Sequence, residues 1–239
     1  MEYRYAGIIL DKKNVGETDR LYTIYTLEAG KIRALAKSVR KSQSKMAGFL
    51  ENFALVNLTI SKGQGTGRIS SVITENNFSN LRNNLESLRS AFKIYNLFNK
   101  LIPWENPDRD IFKMLVEYLE SLDWLSLKNI NEKENVITLG LFFKTLEYLG
   151  YKIEAEKCVI CRNKLFQSGN IFDASRGGAV CQKCNSLAIN PLKLSANSIK
   201  IIRIFSDNSI KSLNKLTVDI EDRKNLWKTL DYFIKWIAQ

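Results

Sequence analysis

Histidine is absent from all 239 residues. That removes the side chain most often used as a general base near neutral pH. It also removes Ser–His and Cys–His nucleophile pairs and every histidine-containing zinc hydrolase motif. Long apolar runs are missing too, and none approaches the ~20 residues that a membrane-spanning helix needs. No targeting segment is visible: Met1-Glu2-Tyr3-Arg4 brings charges early, and the apolar stretch 6–10 is too short for a signal-peptide core. The expected compartment is the cytosol, where four cysteines act as ligands or free thiols rather than as disulfides. Internal repeats and low-complexity tracts are absent as well. Asp and Glu are scattered, without the cluster that a carboxylate-bound catalytic metal requires. These absences argue against an enzyme and against a membrane span.

What is present is positive charge. Lys and Arg number 36 against 25 Asp and Glu, a formal net charge of +11. An excess of that size points to a polyanionic partner, nucleic acid or an anionic membrane surface. It is unevenly spread: residues 1–80 carry +5, residues 81–157 carry −1 and residues 158–239 carry +7. The final helical segment sets Arg223, Lys224, Lys228 and Lys235 beside an apolar stripe. The simplest reading is a helix packed on a core with a solvated basic face, not a membrane-surface helix.

The pattern divides the chain. Residues 1–75 read as five short strands, at 3–10, 20–27, 31–37, 53–60 and 68–73, rich in β-branched and aromatic residues and punctuated by glycine. Five strands in that length suit a small closed barrel of the OB type, with an SH3-like barrel as the competitor. From residue 80 the period becomes helical. Leu81, Leu85, Leu88, Phe92, Tyr95 and Phe98 form one stripe, and Asn106-Pro107-Asp108 breaks it. Further helices are expected through 111–122, 131–149, 195–205 and 220–237, with Gly150 as a C-terminal cap. The fold class is α+β and multidomain: a barrel over 1–79, then a helical domain over 80–239, interrupted at 155–190.

The interruption holds the four cysteines. Cys158-Val159-Ile160-Cys161 and Cys181-Gln182-Lys183-Cys184 are two CxxC pairs separated by nineteen residues. Each pair forms a turn that aims two thiolates at one point, and two facing turns make a tetrahedral cage of four sulfurs. Phe172 and Gly177-Gly178 suit a short hairpin between them. Four protein ligands leave no position for water, so the site is structural and zinc is favoured over iron.

A second candidate site lies between Glu28 and Glu51, a window with no acid that contains Lys31, Arg33, Lys37, Arg40, Lys41 and Lys45. In a strand, Lys31, Arg33 and Lys37 share a face with Leu35, and Ile32, Ala34 and Ala36 take the other. Residues 38–45 then read as a flexible polar loop. Such a patch attracts a phosphate backbone without reading bases. Tyr22, Tyr25 and Phe49 are candidates either for base stacking or for barrel core, with core favoured for Phe49.

Taken in order, these segments resemble the RecO family of DNA repair and recombination mediators. The resemblance rests on Ala6-Gly7-Ile8-Ile9-Leu10 through Gly16-Glu17-Thr18-Asp19-Arg20-Leu21, on the basic segment from Gly30 to Arg40, on Ser44-Lys45-Met46-Ala47-Gly48-Phe49-Leu50, and on the two CxxC pairs amid helices. It implies an N-terminal OB fold, a helical domain with an inserted four-cysteine zinc finger, and one structural Zn²⁺ on Cys158, Cys161, Cys181 and Cys184. It also implies binding of single- and double-stranded DNA, with Lys31, Arg33, Lys37, Arg40, Lys41 and Lys45 as the contacts. Annealing of complementary strands and assistance to the RecA recombinase on DNA coated by single-strand-binding protein follow from it too. The implied partners are RecR and the C-terminal tail of the coating protein, in the bacterial cytoplasm at the nucleoid. The rival is a zinc-ribbon and OB-fold regulatory factor that binds RNA or DNA.

Overall fold

Alternation along the N-terminal segment becomes five strands: β1 (Glu2–Val15), β2 (Asp19–Thr26), β3 (Gly30–Ala36), β4 (Leu55–Ser61) and β5 (Gly67–Asn76). They close into a barrel in the order β1-β2-β3-β5-β4, with β4 returning to β1. The single parallel pair, β3 with β5 at Ala34↔Gly67 and Leu35↔Arg68, gives the OB-like arrangement rather than the SH3-like one. The interior is filled from alternate positions, among them Tyr22, Ile24, Ile32, Ala34, Ala36, Val56, Leu58, Ile60 and Ile69. Tyr22 lies opposite Ala34, where a small partner leaves room for the ring. The structure is a computed structural model that describes residues 1–62, 65–165 and 168–238, apart from the side chains of Asn131 and Glu134. Residues 1–128 and 129–239 form two compact units.

The β2–β3 turn requires glycine. Gly30 has φ +66°, and a Cβ there would lie 2.3 Å from the carbonyl oxygen of Asn106. The barrel and the chain near 106 are thus in backbone contact at this point, closer than any side chain permits.

Helices complete the first unit: α1 (Ser79–Asn83), α2 (Leu85–Leu101) and α3 (Arg109–Leu127). The single stripe expected from Leu81 to Phe98 is broken at Asn84. This residue takes an extended conformation, and its side chain accepts from the amides of Glu86 and Ser87, capping a new helix. Of the stripe's members inside α2, Leu85 and Phe92 are exposed and Phe98 is buried, and the helix turns a neighbouring face inward with Ser87, Ser90, Ala91, Ile94 and Leu97. Phe98 meets Tyr25 of the barrel edge-on at 5.4 Å, and Phe92 meets Phe53 at 4.9 Å. Asp108 caps α3 through the amides of Asp110 and Ile111.

The second unit contains α4 (Asn131–Tyr148), α5 (Ala196–Asp207) and α6 (Ile220–Ile237). Phe143 packs on Phe205 and Phe142 on Trp227, joining α4 to the other two helices. Ser195 caps α5 by accepting from the amide of Ser198, and its hydroxyl donates to Asp222 of α6 at 2.6 Å. Gly150, at φ +86°, follows the last turn of α4 as expected. The segment after it forms a small sheet in the order β7-β6-β8, from β6 (Ile171–Asp173), β7 (Gly178–Val180) and β8 (Leu192–Lys193). Phe172, fully buried, seats this sheet on α6 against Phe233. Among the described residues no helix is long and apolar enough to cross a membrane.

Candidate nucleic-acid interface and four-cysteine site

Five of the six cations expected to meet phosphate are exposed: Arg33 and Lys37 at β3, and Arg40, Lys41 and Lys45 on the turns that follow. None of the five lies within ion-pair distance of a carboxylate among the described residues. Glu51, the acid that ends the window, is engaged elsewhere, by Lys12 at 2.6 Å and Arg82 at 3.6 Å. The positive charge of the window is therefore open to an external anion.

Lys31 departs from the expectation. Only 1% of it is exposed, and its ammonium donates to the carbonyl oxygens of Phe98 at 3.0 Å and Asn99 at 3.2 Å. Strand alternation puts Lys31 on the same side as Arg33, but that side is covered near residue 31 by the end of α2. The carbonyls that the helix leaves open there attract a cation. Burial, and then the neighbouring Arg33, push the Lys31 ammonium below its ordinary value. Lys31 holds the helix to the barrel and is not available to phosphate.

The loop after β3 is fastened rather than free. Ser38, at φ 55°, donates its amide to the Asp19 carboxylate at 2.7 Å. The Arg40 amide donates to the Thr18 carbonyl at 2.9 Å, and the Arg40 guanidinium reaches the Gly16 carbonyl at 3.2 Å. Val39 between them is fully buried in the barrel core. The Gly16-Glu17-Thr18-Asp19 turn thus serves as the anchor of the basic loop. The Ser38 amide holds the Asp19 carboxyl below its ordinary value against a smaller desolvation effect, with help from Thr18, Lys37 and Arg68. Arg68 is an exposed cation of this neighbourhood that lies outside the acid-free window, so charge counting along the chain passes over it.

The aromatic candidates separate. Tyr22 and Tyr25 are fully buried, and burial raises both phenols. Phe49, expected in the core, is 46% exposed, because the turn over 46–50 spends its inward position on Leu50. The sequence reading missed Trp104, in the linker between α2 and α3. The residue is 41% exposed, and Lys31 Nζ and Arg33 Cζ each lie over its ring 4.5 Å from the centroid. The available signal was a tryptophan inside a polar, proline-containing break.

The four cysteines are brought together as their spacing indicates. Their sulfurs all lie within 4.8 Å of one another, and Cys161 Sγ is 3.8 Å from Cys181 Sγ. A tetrahedral metal with ~2.3 Å bonds to sulfur separates its ligands by about 3.8 Å, so the donor set fits. The β6–β7 hairpin between the pairs brings the two knuckles face to face. Gly178 permits this closeness: a Cβ there would lie 2.6 Å from Val159 and 2.7 Å from the Glu154 carbonyl oxygen. Burial opposes charge at Cys158, but the amides of Cys181, Cys161 and Ile160 outweigh it and hold this thiol low. Cys184 is pushed the other way, by burial and by the thiols around it. Three of the four are buried and Cys161 is exposed.

Comparison with known proteins agrees with this geometry along the whole chain. The family described as "Recombination protein O N terminal" matches residues 1–78, and "Recombination protein O C terminal" matches residues 82–238. A protein named DNA repair protein RecO from Dehalococcoides mccartyi strain 195 is 30% identical over 238 residues, covering 100% of this chain and 91% of that protein. Proteins of the same name from Clostridium perfringens and Roseiflexus are 27% and 25% identical, covering 96% and 99% of this chain and 90% and 81% of theirs. An OB-like barrel, a helical body and a four-cysteine cluster in this order, matched end to end, place the chain in the RecO family of DNA repair proteins.

Proposed function

We propose that this chain is a recombination mediator that binds single- and double-stranded DNA through its N-terminal barrel and anneals complementary strands. The observation that carries the reading is the group of exposed cations Arg33, Lys37, Arg40, Lys41 and Lys45, none paired with a carboxylate among the described residues, beside a loop fastened by Asp19. Fixed cations of this kind engage phosphates without selecting bases. Lys31 is left out of the contact set because its ammonium is buried. Annealing makes and breaks no covalent bond. Two polyanionic strands repel each other, and a protein with separate basic regions holds both while base stacking joins them. The positive regions at 1–80 and 158–239 suit that role.

The finer division follows the same reading: DNA contact over 1–79, a helical domain over 80–239 and a metal finger over 155–190. Zinc is the proposed metal, held by Cys158, Cys161, Cys181 and Cys184. When bound it supplies folding energy to a segment with little apolar core of its own. RecR and the C-terminal tail of single-strand-binding protein are the proposed partners, with delivery of the RecA recombinase to coated DNA as the outcome. The bacterial cytoplasm is the proposed setting.

The test is an annealing assay with complementary oligonucleotides, bare and coated with single-strand-binding protein, beside binding titrations on single-stranded DNA, duplex and RNA. With five phosphates neutralised, the log–log salt slope on single strands is roughly −3.5. Replacing Arg33, Lys37, Arg40, Lys41 and Lys45 by Gln is expected to flatten that slope and abolish annealing at physiological salt. Full annealing by this variant removes the barrel as the DNA site, and a strong preference for RNA favours the regulatory-factor alternative.

A further inference from the structure

Among the described residues, β3 and β5 pair at Ala34↔Gly67 and Leu35↔Arg68, toward the C-terminal end of β3. The linker after α2 meets the N-terminal end of that strand. Trp104 forms a parallel bridge with Lys31, and the Glu105 amide donates to the Lys31 carbonyl at 2.9 Å. A residue from outside the barrel is thereby fixed by its backbone onto the barrel wall. Its indole is not buried there, although a large apolar ring gains most by burial. It borders a groove of about 490 Å³ lined by Ile32, Arg33, Lys62, Thr66 and one acid, Glu105, together with Trp104 itself. Two exposed cations, Arg33 and Lys62, stand at the rim.

We propose that Trp104 and the Arg33 guanidinium lying over its ring together form a platform for one unpaired nucleobase of a single strand, whose flanking phosphates meet Arg33 and Lys62. The inference rests on the DNA-binding reading above and adds a basis for telling single strands from duplex. A base in a duplex has both faces covered by its neighbours, whereas an unpaired base offers a face to an aromatic ring or a guanidinium plane. The cationic loop at 37–45 serves both forms of DNA, and the Trp104 groove serves only the unpaired one. Because stacking is tolerant of base identity, the groove adds affinity without sequence preference.

The experiment uses the full chain, an oligothymidylate and a duplex of equal length. Oligothymidylate is expected to quench the tryptophan emission of the wild-type protein, and Trp104→Leu to abolish that quenching. The same variant is expected to lose about tenfold in affinity for the single strand while duplex affinity stays as it was. Trp104→Phe keeps an aromatic face and is expected to recover most of the loss, which separates stacking from a packing defect. Equal losses on both forms of DNA, or no loss where wild type binds tightly, overturns the inference and leaves the DNA-binding reading intact. Wild-type protein that binds neither form overturns both.

Discussion

The ammonium of Lys31 lies 3.0 Å from the carbonyl oxygen of Phe98, so a lysine of the third barrel strand caps the C-terminal end of α2. A cation there meets the negative end of the helix dipole and supplies donors to carbonyls that the helix leaves open. Lys31→Met keeps the apolar stem and removes the donors. It is expected to lower stability by about 2 kcal/mol, read as a fall in the urea midpoint. DNA affinity per folded molecule should be unchanged. A variant as stable as wild type, but with weakened DNA binding, would put Lys31 back among the phosphate contacts.

Asp19→Ala removes the acceptor for the Ser38 amide, and the basic loop loses its anchor. Hydrogen exchange at Ser38 should accelerate sharply in the variant, while amides in the middle of β2 keep their protection. The sign of the pH dependence follows from the lowered carboxyl. A group lowered in the folded state stabilises it above its ordinary value of 3.8, and that contribution is lost as pH falls through the lowered value. Wild-type Ser38 should therefore still be protected at pH 3.8, and should exchange faster only as pH falls through the lowered value. Unaltered exchange in the variant would show that the loop holds its shape without Asp19.

Much of this site was legible in the sequence, for reasons particular to each residue. The CxxC pairs carry their geometry in their spacing, since two short turns aim four thiolates at one point whatever surrounds them. The barrel strands were readable because alternation of Ile32, Ala34 and Ala36 with larger polar neighbours reports directly on inside and outside. Lys31 was misplaced because period-two alternation assigns a face but does not show what covers it, and α2, which covers it, comes from fifty residues onward. Leu85 and Phe92 misled because α2 buries a neighbouring face of small and apolar residues, Ser87, Ser90, Ala91, Ile94 and Leu97, which a stripe of large side chains does not report. Trp104 had only a weak signal, a tryptophan inside a polar, proline-containing break, and no periodicity marks it. Its position depends on a backbone bridge to Lys31, seventy-odd residues earlier in the chain, that exists only in the folded protein.

Tyr25 is fully buried with its ring against Phe98 and Phe112, and burial raises its phenol well above 10.0, with a smaller push from Asp108. Tyr22 is raised for the same leading reason. The unfolded chain ionises these phenols near their ordinary value and the folded barrel does not. Their contribution is present below pH 10 and lost as pH rises above it. Titration followed by tyrosinate absorbance should show Tyr22 and Tyr25 ionising only with cooperative loss of the barrel. Smooth titration of all nine tyrosines while the fold persists would contradict the burial.

Removing the metal should affect one part of the chain before the rest. The finger's own core consists of little beyond the cysteines, Val180 and a few half-buried side chains, and its sheet has strands of two or three residues. On the proposed reading, such a segment depends on a bound metal to fold. The barrel has a core of its own in Tyr22, Ile24, Val56 and Ile60 and does not share that dependence. The purified chain is expected to hold about one zinc, to lose it as pH falls because thiols must be deprotonated to bind, and to lose it to a chelator. Exchange protection should then vanish across 155–190, with Tyr22 and its neighbours unaffected. Cys158→Ser should reproduce the chelated state, since it removes one of the four sulfur ligands. A metal-free chain whose finger amides stay protected would mean that the sheet and Phe172 alone hold this segment, and the four sulfurs would lose their structural role.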